Sequence, residues 1–447
     1  MPAGAILLLV LVIPLNRSVA MALELRILLV LAACALLLLL LCLCAGKRAG
    51  LLREVGACVL MILLSLVAAE LLTRLAVSYS ASLQALNVFH GQGSPAAGEI
   101  QNLEQLLASA PFRMQPRGLH CGFIMNSKGL RTPEYTMEKD PDQFRIVVIG
   151  DSFVISSAVP YPDHFTVLLQ QRMQTLLPGK RVEMINLGVS GVGAVFEKKM
   201  LEIEACRLRP DLLIWCFFVG NDFTDEMENP PLMLHEWPFV VSTLLRVIRG
   251  GVIVMGETGR YRQEALPTGL PGTYVGWEHY DPSAPTMSIP AYLHNQFIRA
   301  RVLFKSRFPW RNWSRISAIL LSAYQLCRER QLPLLFVVIP DETQVNAALR
   351  RAVLAKIHRR QASAGQPRED MCVDLPQQLL NAFFRRQGIP AIDLLPAFRR
   401  AGRTRRLYKL RDSHWNEAGN HLAAESIFEH IRENACSDIP ALPCGRP

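Results

Sequence analysis

From residue 141 onward, short runs of apolar residues alternate with segments in which apolar positions follow helical spacing. Short and almost wholly apolar runs are typical of strands buried on both faces of a parallel sheet. They lie at 145–150, 182–188, 212–219, 333–339 and about 390–394. Helices are predicted at about 164–177, 194–208, 315–329, 346–360, 374–386 and 417–432. The alternation predicts an α/β fold whose parallel sheet has helices on both faces.

One segment, about 223–314, interrupts this alternation. It is rich in Gly and Pro, lacks clear periodicity, and contains Trp237, Trp277, Trp310 and Trp313. An insertion in a loop at the carboxyl edge of the sheet is the simplest interpretation. Two interpretations stay open: a lid or substrate-binding surface, or a structural element that packs on the membrane side.

The first 78 residues contain three apolar runs. Residues 27–46 carry no charge and are long enough to cross a bilayer, 55–77 are broken only near the far end, and 5–15 are shorter. A cleaved signal peptide would account for the first run alone, whereas the later runs favour retained anchors. The pattern predicts a membrane region of two to three transmembrane helices before the α/β domain.

Basic residues set the predicted orientation in the membrane. Lys47, Arg48 and Arg53 lie between the two strong spans, so this loop is expected in the cytoplasm, although Arg17 and Arg26 weaken the bias. The chain after the spans is then expected on the outer, periplasmic side of the cytoplasmic membrane.

The predicted domain organisation follows from these patterns. Residues 1–78 form the membrane region, 79–140 a linker and lead-in, 141–434 the catalytic domain with its insertion, and 435–447 a tail.

The net charge of +10 comes from scattered basic residues, without zinc-finger or RNA-binding signatures, so nucleic acid is not a predicted partner. The eleven cysteines include no Cys-x-x-Cys pair, so neither a metal nor a cofactor is predicted. The oligomeric state stays open.

Candidate chemistry begins where the strand at 145–150 ends, at Gly150-Asp151-Ser152. The carboxyl ends of parallel strands are where ligands collect in open α/β sheets, which makes Ser152 a candidate nucleophile. The alternative is an ordinary turn in which Asp151 or Ser152 caps the next helix. This segment alone does not decide between the two.

Three further polar motifs belong to the same predicted edge. The second strand ends in Asn186–Gly191, the third in Gly220-Asn221-Asp222, and Asp412-Ser-His414-Trp-Asn416 precedes the last helix. Acyl transfer by a serine needs a base, a group that orients the base, and donors for the oxyanion. The four motifs together supply each of these groups.

These four motifs resemble the SGNH/GDSL serine hydrolase superfamily, in particular its bacterial membrane-anchored members. Gly150-Asp151-Ser152 is similar to the first block, with Phe153 in place of the commoner leucine, and Gly191, Asn221 and His414 match the second, third and fifth blocks. The resemblance covers about 141–434 apart from the insertion, and it implies a three-layer α/β/α, flavodoxin-like fold.

The resemblance also implies a role for each matched residue. Ser152 would attack an acyl carbonyl, His414 would take its proton, and Asp412 would orient the imidazole. The backbone N–H groups of Ser152 and Gly191 and the side-chain amide of Asn221 would form the oxyanion hole. A glycine suits its position because a close backbone approach tolerates no side chain.

One departure from the family concerns the acid. The usual spacing is Asp-x-x-His, whereas here Arg411 stands three residues before His414 and Asp412 stands two before it. Asp-x-His followed by Trp is similar to polysaccharide O-acetylation proteins of the superfamily, whose motif order differs. Asp222 and Asp393 therefore stay open as alternative acids.

Alternatives also stay open for the base. His414 could be an ordinary helix-start histidine, with Asn416 as the N-cap of the last helix. His164 is a rival base, although it begins a helix after a proline-rich loop and no partner motif matches it.

The leading functional hypothesis is a membrane-tethered serine ester hydrolase. Its expected substrate is an O-acyl group, such as acetyl, on an envelope carbohydrate or lipid, and the Trp-rich insertion would offer stacking surfaces for sugar rings. An O-acyltransferase that uses the same acyl-serine is the first alternative. A membrane-anchored binding protein with a degenerate site is the second.

Overall fold

The structure, a computed structural model, describes residues 100–110, 114–223 and 269–438. The predicted membrane spans, the Gly-rich part of the linker, Trp237 and the last nine residues, 439–447, lie outside the described residues. Within those ranges, no helix has both the length and the apolar composition needed to cross a bilayer.

The described chain contains eight strands and eleven α-helices. The strands are β1 Leu119–His120, β2 Phe123–Ile124, β3 Gln143–Ile149, β4 Arg181–Asn186, β5 Leu212–Phe218, β6 Thr273–Tyr274, β7 Leu334–Ile339 and β8 Ala391–Asp393. The helices are α1 Leu103–Ala108, α2 Ser152–Ile155, α3 Phe165–Leu176, α4 Ala194–Ile203, α5 Ile289–Arg299, α6 Trp310–Glu329, α7 Glu342–Val345, α8 Ala347–Ser363, α9 Leu375–Gln387, α10 Leu395–Ala401 and α11 Glu417–Asp438.

Five of these strands form a parallel sheet in the order β4-β3-β5-β7-β8. Counted along the chain, this is the order 2-1-3-4-5 of doubly wound, flavodoxin-like sheets. The predicted α/β fold with a parallel sheet is therefore confirmed. Because all five strands run the same way, the turns that follow β3, β4, β5 and β7 meet at one edge.

The central strands bury both of their faces, which explains their continuous apolar sequence. Every residue of β3, β5 and β7 is buried. Alternate side chains point to opposite sides, so that Trp215 belongs to one core and Phe218 to the other. The first core contains residues of α4, α6 and α9, and the second contains residues of α3, α10 and α11. The sheet thus lies between two helical layers.

The described half of the insertion is more regular than the sequence suggests. β6 pairs with β2 in a small antiparallel sheet, and α5 follows with Ser288 as its N-cap. The prediction that this segment lacks helical periodicity was wrong for residues 289–299, which form α5. Its buried face includes the polar residue Gln296, which hides the helical pattern from an apolar count.

Candidate active site

Ser152 is the first residue of α2, immediately after β3 and the Gly150-Asp151 turn. The Asp151 carboxylate caps this short helix, since its Oδ1 accepts a hydrogen bond of 2.9 Å from the Phe153 N–H. The N–H of Ser152 lies in the first turn, where helix geometry supplies no acceptor. Capping by Asp151 and exposure of the Ser152 hydroxyl at the sheet edge are therefore compatible.

Three predicted side chains lie in a hydrogen-bonded chain. Ser152 Oγ lies 2.8 Å from His414 Nε2, and His414 Nδ1 lies 2.6 Å from Asp412 Oδ1. The carboxylate can only accept, so Nδ1 carries a proton and Nε2 is left to accept from the serine hydroxyl. The His414 side chain is 25% exposed and that of Asp412 only 9%, so the base is open to solvent while its partner is buried.

A tight hairpin explains how Asp412 reaches His414 across a single residue. The Lys409 N–H donates to the His414 carbonyl at 3.0 Å, and Tyr408 and Trp415 form an antiparallel bridge. Asp412 Oδ1 also accepts from the backbone N–H of His414 at 3.1 Å, which is the geometry of an Asx turn. One carboxylate oxygen thereby holds both the backbone and the ring of His414. Residues 407–416, the acid–base loop, thus accommodate the shorter Asp-x-His spacing.

The two carboxyl groups of the site have pKa values that are shifted in opposite directions. Burial raises the pKa of Asp412, but the charge and hydrogen bonds of His414 outweigh it, so that this pKa lies well below its usual range. Burial raises the pKa of Asp151 above its usual value, even though Phe153, His414 and Asn221 favour its ionised form. Asp412 therefore stays ionised beside the base, where it can stabilise an imidazolium.

The alternative acids make other contacts. Asp222 Oδ2 accepts from the Phe218 N–H at 2.7 Å and so closes the turn after β5. Asp393 accepts from the Leu395 N–H and from the Asn381 amide, both at 2.9 Å. Both carboxylates support the ends of strands, whereas Asp412 is the carboxylate bonded to His414 Nδ1.

The rival base is a structural residue. His164 is fully buried, its Nδ1 lies 2.7 Å from Thr166 Oγ1, and its Nε2 lies 3.2 Å from the Phe153 carbonyl. Burial, with a contribution from Arg131, lowers the pKa of His164 to about 3. This imidazole is neutral, and its Nε2 stabilises α2 through the contact with the Phe153 carbonyl. Asn416 is an N-cap of α11, as the alternative required, since its Oδ1 accepts from the Gly419 N–H at 3.0 Å.

Two of the three predicted oxyanion donors, Gly191 and Asn221, lie on the turns after β4 and β5. Gly191 has a φ of +72°, a left-handed conformation that favours glycine. The close backbone approach occurs instead at Gly188, where a Cβ would lie 2.4 Å from the Ile155 nitrogen. The Asn221 side chain donates to Asp151. An amide has two N–H donors, so this bond uses one of them. The oxyanion role of these residues stays a prediction.

Sequence reasoning missed several residues that support the acid–base loop. The Phe153 ring lies 5.1 Å from the His414 ring and 5.0 Å from that of Trp415, so α2 and the loop share one aromatic cluster. Thr286 and Gln296, from the insertion, contact Asp412 and Ser413. The aromatic residues next to Ser152 and His414 were a usable signal, whereas nothing in the sequence marks the insertion residues.

The described polar groups of the site are not arranged as metal ligands. Across 100–110, 114–223 and 269–438, no group of three or more His, Cys, Asp or Glu side chains is arranged to hold a metal ion. The described polar groups instead form the proton-transfer chain of Ser152, His414 and Asp412.

Several solved structures resemble this chain at low identity. An acetyl xylan esterase, AlAXEase, is 10% identical, with 64% of this chain and 99% of that chain covered and a TM-score of 0.35. The acetylxylan esterase Axe2 from Geobacillus stearothermophilus is 11% identical, with 64% and 93% covered and a TM-score of 0.33. A two-domain esterase active on acetylated mannans is 14% identical, with 67% and 52% covered and a TM-score of 0.33. Likeness at such TM-scores carries no argument about what this chain acts on.

The family comparison concerns the C-terminal part of the chain. A search among curated proteins gave no match. Residues 327–443 match the family model described as "SGNH hydrolase-like domain, acetyltransferase AlgX". The matched stretch contains Asp412 and His414 but not Ser152. For residues 327–443, this match confirms the predicted resemblance to the SGNH superfamily.

Proposed function

We propose that this protein is a serine ester hydrolase that acts on O-acyl groups, such as acetyl, of a carbohydrate. The observation that carries the proposal is the chain of hydrogen bonds from Ser152 Oγ through His414 to Asp412. A half-buried serine hydroxyl bonded to an imidazole, which is in turn bonded to a carboxylate, is the arrangement that activates a serine for acyl transfer.

The reaction follows from these contacts. Ser152 Oγ attacks the acyl carbonyl carbon while His414 Nε2 takes the hydroxyl proton, and Asp412 stabilises the imidazolium that forms. The N–H groups of Ser152 and Gly191 and the Asn221 amide would bind the oxyanion. His414 then returns the proton to the departing alkoxide, which leaves an acyl-serine. Water, deprotonated by the same imidazole, attacks the acyl-serine. The bond between the acyl carbon and Ser152 Oγ then breaks, the acid is released, and His414 returns the proton to Ser152 Oγ.

An O-acyltransferase is the second candidate, because a sugar hydroxyl can replace water in the last step. The description of the matched family as an acetyltransferase supports this alternative. The 25% exposure of the His414 side chain supports hydrolysis, since water has access to the base. The two activities differ only in which hydroxyl is deprotonated by His414, so added acceptor separates them.

An aromatic pair beside the acid–base loop supports a carbohydrate substrate. The rings of Trp277 and Tyr280 lie 4.8 Å apart, and the Lys409 ammonium lies 5.0 Å from the Tyr280 ring. The Tyr280 hydroxyl donates to Glu417, three residues after His414, at 2.5 Å. Both rings are half-buried and so keep part of their surface open to solvent. Partly exposed aromatic rings with polar neighbours suit the apolar faces and hydroxyls of a sugar.

The experiment uses the full-length protein and Ser152→Ala with p-nitrophenyl acetate and with partly acetylated xylo- and manno-oligosaccharides. Hydrolysis that is lost in Ser152→Ala is the expected result, and release of acetate unchanged in that variant would contradict the proposal. Acetyl transfer to added oligosaccharide in place of acetate release would establish the transferase. Binding of glycan without any turnover, equal in both proteins, would establish the degenerate binding protein.

Trp277→Ala tests the carbohydrate assignment. We expect it to lower kcat/KM for the oligosaccharides without changing hydrolysis of p-nitrophenyl acetate. Tyr324→Ala is the control, because Tyr324 lies in the last third of α6, where its hydroxyl donates to the Gly388 carbonyl just before β8, at the opposite edge of the sheet.

Membrane tethering completes the proposal and rests on the apolar runs at 27–46 and 55–77. We propose that they hold the domain on the outer face of the cytoplasmic membrane. Protease added to spheroplasts, whose outer membrane has been opened, should then cleave the domain, and protection from protease until the spheroplasts are lysed would contradict this orientation.

A further inference from the structure

Residues 284–299, here called the strap, run from the insertion to the end of α5 and lie along the acid–base loop. The Thr286 N–H donates to the Leu410 carbonyl at 3.1 Å, and the Met287 N–H donates to the Arg411 carbonyl at 3.2 Å. These two successive bonds hold the backbone of the loop directly before Asp412. The strap is therefore a partner of the loop although more than a hundred residues separate them in the sequence.

The strap also contacts the next two loop residues through side chains. Gln296 is fully buried, and its Nε2 lies 3.4 Å from Ser413 Oγ. Thr286 Oγ1 is buried, and the backbone of the same residue is bonded to Leu410, two residues before Asp412. In this position the hydroxyl helps to lower the pKa of the Asp412 carboxyl. A buried hydroxyl without a partner is costly, and the adjacent carboxylate is an acceptor that can satisfy it.

The loop needs such support because its backbone is strained. Arg411, directly before Asp412, has a φ of +51°, in the left-handed region that residues with a Cβ adopt at a cost. Strain of this kind persists only where the surroundings hold the conformation in place. The Met287 N–H on the Arg411 carbonyl is a contact of that kind.

A single oxygen of Asp412 fixes both the backbone and the ring of His414. Its Oδ1 accepts both from the backbone N–H and from the ring Nδ1 of His414. A rotation of the carboxylate would therefore lose both bonds and turn the imidazole away from Ser152. A further donor to this carboxylate would oppose that rotation.

We propose that Thr286 is a positioning residue for Asp412, and that the strap holds the acid–base loop in the conformation that aims His414 at Ser152. The inference rests on the proposed function. It assigns to the insertion a role in the reaction itself, in addition to any contact with substrate.

The test compares Thr286→Val with Thr286→Ser in the full-length protein. Valine keeps the shape of the side chain and removes the hydroxyl, whereas serine keeps the hydroxyl. We expect kcat for p-nitrophenyl acetate to fall about tenfold or more in Thr286→Val, with KM unchanged, and to recover in Thr286→Ser. Thr273→Val is the matched control, because the Thr273 hydroxyl donates to the nearby Leu270 carbonyl in the same part of the insertion.

Two outcomes would overturn the proposal: an unchanged kcat in Thr286→Val, or equal losses in Thr286→Val and Thr286→Ser. If Thr286→Val does not fold, Thr286→Ala is compared with Thr286→Ser on the same criteria.

A second readout does not depend on turnover. In protein labelled with 15N-histidine, the His414 Nδ1 proton bonded to Asp412 should resonate far downfield, and Thr286→Val should shift it or weaken it. A wild-type protein without esterase activity would count against the proposed function alone. An identical resonance in wild type and Thr286→Val would overturn the role of Thr286.

Discussion

The two halves of the candidate site are built in different ways. The nucleophile turn, residues 150–155, consists of the Gly150-Asp151 turn after β3 and the short helix α2, which Asp151 caps. The acid–base loop, 407–416, has no regular element of its own beyond a single bridge between Tyr408 and Trp415. It is held by aromatic contacts with α2 and by hydrogen bonds from the strap.

This difference shows where each half gets its geometry. The turn is specified by neighbours in sequence, because a buried strand, a glycine and a capping aspartate fix its course. The loop is specified by residues that are distant in sequence, so its conformation depends on tertiary packing. Changes in the loop or its partners should therefore affect the orientation of His414, and changes in the turn should affect the position of Ser152.

The largest effect is expected from Asp412→Asn. An amide at this position cannot hold the same tautomer of His414 or stabilise its imidazolium, so turnover of p-nitrophenyl acetate should fall by roughly 10³- to 10⁴-fold. Asp393→Asn is the control, because Asp393 supports β8 and α9 and should leave turnover within about twofold. The reverse ranking would make Asp393 the acid and contradict the geometry.

The second largest effect is expected from Trp415→Ala, which removes the aromatic ring that packs the acid–base loop against α2. Trp415 is 2% exposed and packs on Phe153, Phe165 and Phe398, so Trp415→Ala should lower the free energy of unfolding by about 3–5 kcal/mol. Urea unfolding followed by circular dichroism measures this change. Trp310→Ala, at an exposed position, should cost under about 1 kcal/mol. Equal losses in the two variants would show that the loop does not depend on this anchor.

A pH effect is expected from Glu342, which lies beside the loop at the start of α7. Burial raises its pKa from 4.5 to about 7, although Tyr292 and Asn346 donate hydrogen bonds to it. Between about pH 4.5 and pH 7 the folded state therefore keeps a proton that the unfolded state loses, and the free energy of unfolding should fall by at most about 3 kcal/mol over this range.

Glu342→Gln should make this decline shallower between about pH 5 and pH 8, because the neutral amide does not titrate. Urea midpoints at each pH measure the slope. Glu433→Gln, on the exposed side of α11, is the control and should keep the wild-type slope. A wild-type slope in Glu342→Gln would mean that this carboxyl is not protonated in the folded protein.

The smallest effect on stability is expected from Gly188→Ala, in the turn after β4 that packs against α2. Gly188→Ala would bring a Cβ within 2.4 Å of the Ile155 nitrogen at the end of α2, and the shift needed should cost about 1–3 kcal/mol of stability. Gly179→Ala is the matched control, since its Cβ would enter open space and should change stability by less than about 0.5 kcal/mol. If both variants have the same Tm, the turn after β4 is not packed against α2.

The contrast also explains how much could be predicted from the sequence. The strand and turn around Ser152 were predictable, because buried parallel strands have a continuous apolar pattern and the polar residues follow directly. Asp412 stayed one of three acids, since spacing alone does not reveal an Asx turn. Thr286 was not predictable, because its contact with the loop depends on the tertiary fold. In α5, the buried Gln296 concealed the helical pattern.

The most direct test of the central claim is labelling of Ser152 by a fluorophosphonate, mapped by peptide mass spectrometry in the full-length protein. The relay from Asp412 through His414 predicts a single labelled serine, Ser152, with a rate that falls by about 10³-fold or more in His414→Gln and stays unchanged in His421→Gln, whose side chain lies exposed on α11. Label on another residue, or an equal rate in His414→Gln, would contradict the claim that His414 activates Ser152.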